Sequence, residues 1–134
     1  MSERLLVVED SKAIAKVIEQ LAKSLGFDVT VAYSLAEVET ILQGGAEFFA
    51  ATIDYALPDA TDGEAIECVL SHGIPGVVMT GKMDDETRQK ILSLPVIDYI
   101  PKENSQAFMY LKRILHWQLT NRKNGILVVD DSLS

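Results

Sequence analysis

The sequence predicts a doubly wound α/β domain, a parallel sheet with helices on both faces. Two observations carry that expectation. Strand-like and helix-like patterns alternate along the 134 residues, and the strand-like runs are mostly unbroken apolar stretches, as strands covered on both faces must be. Parallel neighbours need crossover connections, and crossovers cover faces, so five strands interleaved with five helices leave few other architectures.

Residues 5–8 (LLVV) are the first apolar run. Ile14, Val17, Ile18, Leu21 and Leu25 then recur at helical spacing opposite Lys12, Lys16, Glu19 and Lys23, until Gly26 offers a C-terminal stop. Residues 28–32 alternate polar with apolar and suit an edge strand. Ser34 and Glu37 form a capping box that opens a helix through Val38, Ile41 and Leu42 to Gly44 and Gly45. Residues 48–53 are the third strand, after which Asp62 is expected to cap a helix carrying Ile66, Val69 and Leu70 that ends near Gly73. Residues 74–80 give the fourth strand, and Asp84 and Asp85 start a shorter helix that must finish before Pro95. Residues 96–100 are the fifth strand. Phe108, Leu111, Ile114, Leu115 and Leu119 stripe a last helix over about residues 105–121.

Composition sets broad bounds. An apolar content of 48% over this length fits one ordinary domain with a real core, without help from disulfides or a structural metal. The single cysteine, Cys68, has no partner, and the N-terminus lacks a signal-peptide pattern, so a cytoplasmic protein is expected. No apolar stretch reaches the length of a membrane helix, and a net charge of −8 argues against nucleic acid and anionic lipid as partners.

In doubly wound folds, ligands sit beyond the carboxyl ends of the strands. There the first strand delivers Glu9 and Asp10, the third Asp54, the fourth Thr80, and Lys102 lies just past the fifth. Three carboxylates brought together would repel, and a hard divalent cation with oxygen ligands, usually Mg²⁺, is the economical resolution. A cation, an ammonium and a hydroxyl around a spare carboxylate suit a phosphoryl group, with the carboxylate as nucleophile. Taken singly, each residue also has a plain explanation: a helix cap, a turn residue, a solvated charge. Their joint placement at one end of otherwise apolar strands favours a site.

These residues, set in LLVVEDS, ATIDYALPDATDG, VVMTG and DYIPKEN, resemble the receiver domains of two-component response regulators over about residues 4–122. The resemblance implies the flavodoxin-like strand order 2-1-3-4-5. It implies phosphorelay signalling, in which Asp54 accepts a phosphoryl group from a histidine kinase or histidine phosphotransfer protein. Asp10, Asp54 and the backbone carbonyl of Ala56 would bind Mg²⁺, with Glu9 acting mainly through water, and Lys102 would pair with the phosphoryl oxygens. Thr80 and Tyr99 would form the switch pair. A face made by the fourth helix, fifth strand and fifth helix would meet partners, including a second copy in a dimer, and the signal would pass to downstream domains of the same chain.

The sequence departs from the family pattern at several points. Pro101 precedes Lys102 instead of following it, and the loop between Asp54 and the Asp62–Gly63 pair is one residue longer. Lys82 adds a positive charge at the site's rim. Two rival readings are weighed. A phosphatase of the haloacid dehalogenase type would need a second aspartate where Ala56 stands. A constitutive, non-phosphorylated binding module would be expected to have lost an acid, and none is lost.

Near the C-terminus the opening motif returns. Leu127, Val128, Val129, Asp130, Asp131 and Ser132 repeat residues 6–11, and Asp131 stands 121 positions after Asp10 (131 less 10), about one receiver's length. The expectation is a receiver domain over residues 1–122, followed by a linker and the truncated first strand of a second receiver over residues 123–134. By analogy with tandem receivers, the first guess for the output is a diguanylate cyclase with a GGDEF motif, making c-di-GMP.

Overall fold

Ten elements alternate along the described residues: β1 (Arg4–Val8), α1 (Lys12–Ser24), β2 (Asp28–Ala32), α2 (Leu35–Gln43), β3 (Ala50–Asp54), α3 (Glu64–Ser71), β4 (Gly76–Thr80), α4 (Asp85–Leu92), β5 (Asp98–Pro101) and α5 (Ala107–Asn124). They come from a computed structural model that describes residues 3–81, 84–102 and 106–124. All four strand pairings are parallel, in the order β2-β1-β3-β4-β5. This is the doubly wound, flavodoxin-like order. The repeated segment at residues 127–131 and the rim residue Lys82 lie outside the described residues.

The sheet separates two core layers. Leu6, Val8, Ile53 and Val78 pack with Val38 and Leu42 of α2, Ile66 and Val69 of α3 and Ile91 of α4. Leu5, Val7, Val77 and Met79 pack on the other side with Ile18 and Ala22 of α1 and Leu111 and Leu115 of α5. Successive strand residues therefore enter different layers, which is why the central runs carry almost no polar positions. Each large side chain here is close-packed, so truncating Leu111 to alanine would cost about 2–5 kcal/mol.

The expected caps at Ser34 and Asp84 accept the N–H groups of Glu37 and Thr87, and Ser11, not anticipated as a cap, accepts that of Ile14. Asp62 differs from expectation: the N-cap of α3 is Gly63, with φ +83°, and the Asp62 N–H is bound instead by Glu64 Oε1 at 2.8 Å. A glycine is required because a Cβ there would lie 2.9 Å from Cε1 of the buried Tyr55 ring. β4 and β5 each begin two residues later than the apolar runs. Pro75, which has no N–H to give, stands just before β4 and enters the ladder only as an acceptor, its carbonyl taking the Ala51 N–H at 2.9 Å. Pro101 closes β5, the sheet's edge, which tolerates a residue without an N–H.

Candidate functional site

Register brings the acids together. Val8 is opposite Ile53, so Glu9 and Asp54 are each one residue beyond that last pair and fall on the same side of the sheet. Asp54 is opposite Met79, and Met79 is opposite Ile100, so Lys102 stands two residues beyond the same row. Its long stem crosses β4 to reach the acids: Lys102 Nζ lies 2.8 Å from Glu9 Oε1 and 2.9 Å from Asp54 Oδ2. The proline before Lys102 does not prevent that reach. The Lys102 N–H donates to the Thr80 carbonyl at 2.8 Å, extending the β4 ladder past the end of β5.

Carboxylate oxygens of Glu9, Asp10 and Asp54 all lie within 4.8 Å of one another. Glu9 and Asp54 are buried, whereas Asp10 is exposed at the mouth. Burial pushes the Glu9 carboxyl up to about 7, against the hydrogen bond from Lys102 and with the adjoining charge of Asp54 adding to the rise. Burial also raises Asp54, again opposed by Lys102. For Lys102 burial acts downward, but its bonds to Glu9 and Asp54 win and its ammonium is held above the ordinary range. Three carboxylates against one ammonium leave the cluster short of positive charge. That donor set fits a hard, oxygen-seeking cation.

Thr80 ends β4, buried, one residue beyond Asp54's partner Met79. Tyr99 pairs with Val78 and Thr80 with Pro101, so Thr80 and Tyr99 lie on the same face of adjacent strands, two residues apart along them. Tyr99 is half-buried against the core layer that holds Ile91 of α4. Ala56 follows Asp54 by two residues, and its N–H donates to Asp54 Oδ1 at 3.3 Å. All the residues singled out at the strand ends are thus gathered at one edge, with Tyr99 set one layer back.

The sequence profile of the response regulator receiver domain family matches residues 5–112. The chain is a response regulator receiver domain. Its acid cluster is the receiver phosphorylation site used in phosphorelay signalling. The receiver is 30% identical to the sensor protein TorS of Escherichia coli (strain K12) over 95 residues, covering 68% of this chain and 10% of that protein. It is 29% identical to the regulatory protein VanRc of Enterococcus gallinarum over 103 residues, covering 76% of this chain and 44% of that one. The receiver therefore spans less than half the length of these curated relatives. Among solved structures it resembles a protein described as a two-component response regulator/GGDEF domain protein, with 29% identity, a TM-score of 0.77, and coverage of 90% of this chain and 49% of that one. A CheY-like receiver domain protein from Methanospirillum hungatei JF-1 matches with 25% identity and a TM-score of 0.77, covering 93% of this chain and 100% of that one. Among the described residues of the receiver, no helix is long and apolar enough to cross a membrane.

One residue near the site escaped the sequence reading. Asp59, in the loop between β3 and α3 of the receiver, accepts the N–H of Leu35 through Oδ1 at 2.9 Å and that of Ala36 through Oδ2 at 3.0 Å. These bonds hold its carboxyl below the usual range. A D in a PD turn is an ordinary loop signal, so nothing local marks it as the partner of a helix 23 and 24 residues upstream.

Proposed function

We propose that Asp54 is the phosphoacceptor, taking a phosphoryl group from a histidine kinase or histidine phosphotransfer protein and holding it as the signal. The observation that carries this reading is the meeting of Glu9, Asp10 and Asp54 within 4.8 Å at the ends of two strands, with Lys102 bonded to two of them. Asp10, Asp54 and the Ala56 carbonyl would hold Mg²⁺, and Glu9 would assist through water. When bound, Mg²⁺ supplies charge neutralisation for the incoming phosphoryl oxygens. Asp54 Oδ1 and Oδ2 are positioned by the Ala56 N–H and by Lys102. The Lys102 ammonium, already turned into the site, is available to the new phosphoryl oxygens, and Glu9 retains it in place through the other contact.

The phosphoryl group adds about −1.5 to −2 charges and three acceptor oxygens, so the Thr80 hydroxyl gains a strong bond only in the modified state. Turning Thr80 toward it frees space on the face that Thr80 shares with Tyr99, whose ring then moves inward. That changes the surface of α4, β5 and α5, through which the receiver would control a downstream domain or pair with a second copy. The solved relative carrying a GGDEF domain supports a diguanylate cyclase as the first candidate output. The repeat at residues 127–132 supports a second receiver beginning there. In a complete second copy an acceptor aspartate follows about 44 residues beyond Asp131, the interval from Asp10 to Asp54.

The test is mass measurement after incubation with Mg²⁺ and acetyl phosphate or phosphoramidate. A stable gain of one phosphoryl, absent in Asp54→Ala, is expected. Continuous phosphate release would favour the phosphatase reading, and no gain would favour a constitutive binding module.

A further inference from the structure

The loop after Asp54 is closed by a small hairpin. Leu57 N–H donates to the Ala60 carbonyl at 2.9 Å and Ala60 N–H returns to Leu57 at 3.1 Å, leaving Pro58 and Asp59 at the tip. Leu57 and Ala60 are buried, so the base of the hairpin is set in the core. Its tip would be free to swing in solvent, but both carboxylate oxygens of Asp59 are engaged by the first two N–H groups of α2. Those two donors belong to the unpaired set at every helix start, so the loop and the helix satisfy each other.

The hairpin controls one carbonyl in particular. The N–H of Leu57 and the C=O of Ala56 belong to a single planar trans peptide, and they point in opposite directions. Fixing the Leu57 N–H on Ala60 therefore fixes the direction of the Ala56 carbonyl. On the other side, Tyr55 is pinned by its N–H to Met79 at 2.9 Å and by its carbonyl to Gly63 at 3.1 Å. Ala56 is left as the one residue between two held peptides.

We infer that Asp59 is a positioning residue for metal binding: by capping the neighbouring α2 it holds the hairpin whose closure orients the Ala56 carbonyl. This rests on the metal reading given above.

The experiment is a calorimetric titration of Mg²⁺ into the full 134-residue chain and into Asp59→Ala, Asp59→Asn and Ser34→Ala. Amide hydrogen exchange at Leu57 is followed in parallel. Ser34→Ala is the control, because Ser34 Oγ caps the same helix through Glu37 N–H without touching the loop. Asp59→Ala is expected to raise the Mg²⁺ dissociation constant about three- to tenfold and to speed Leu57 exchange. Asp59→Asn, whose one amide oxygen can accept only part of the pair, falls between. Ser34→Ala leaves the constant unchanged. Native-like affinity in Asp59→Ala overturns the inference, as does equal weakening by Ser34→Ala, which would reduce the effect to helix stability. If the unsubstituted chain binds no Mg²⁺, the metal reading itself fails, a result distinguishable from either of these.

Discussion

The ammonium of Lys102 lies 2.8 Å from Oε1 of Glu9, a carboxylate only 1% exposed. This contact does not fully offset the burial of Glu9, whose carboxyl is pushed up from 4.5 to about 7. Between those values the folded chain holds a proton that the unfolded chain has released. The contribution is therefore complete below about pH 4.5 and is lost as pH rises through about 7, amounting to on the order of 3 kcal/mol at most. Urea unfolding in chelator at about pH 5 and about pH 8 checks this. Glu9→Gln should gain stability relative to the native chain at the higher pH, and equal stability differences at both values would contradict the account.

Replacing Lys102 with methionine removes the cation that Glu9 and Asp54 share. Phosphorylation by acetyl phosphate should slow about 100-fold, the cost of one electrostatic stabiliser aimed at developing charge. Mg²⁺ binding should persist or tighten, because a competing cation has gone. Mass spectrometry for the first and calorimetry for the second separate chemistry from metal loading.

Thr80→Val preserves shape and deletes the hydroxyl. Phosphoryl acceptance is expected to remain measurable, while the change in the Tyr99 ring resonances on phosphorylation is lost. Ring resonances that respond as in the native chain would uncouple Tyr99 from Thr80.

Gly63→Ala combines a left-handed backbone with a Cβ only 2.9 Å from the Tyr55 ring, whereas Gly26, at φ +97°, has nothing within 4 Å of the same added atom. Gly63→Ala should cost about 3 kcal/mol and Gly26→Ala about 1 kcal/mol, read from thermal unfolding midpoints. Because Tyr55 is the residue after Asp54, only the first is expected also to slow phosphorylation.

The strand ends were legible because the first, third and fourth runs end at Glu9, Asp54 and Thr80 and Lys102 lies just past the fifth, and in a parallel sheet those ends share an edge. Glu9, Asp10, Asp54, Thr80 and Lys102 are found this way without any knowledge of contacts. Two features were not. Asp62 reads as a helix cap, yet the collision that a side chain at position 63 would make with Tyr55 reserves the cap for Gly63, and that collision exists only after the loop has folded onto β3. Asp59 shows the same limit: its partners are chosen by the packing of α2 beside the loop, and no spacing in the sequence encodes that. Periodicity reports which face an element buries. It is silent on which loop end meets which helix end.

The Lys102 N–H bonded to the Thr80 carbonyl restricts how this receiver can transmit a signal. The residue that would sense the phosphoryl group and the residue that would neutralise it are joined through their main chains. If Thr80 responded by shifting its backbone, that bond would pass the shift to the main chain of the residue that carries the counter-charge. Rotation about the Thr80 side chain would leave that main-chain bond intact, a response that moves a hydroxyl while the peptide carrying it stays still.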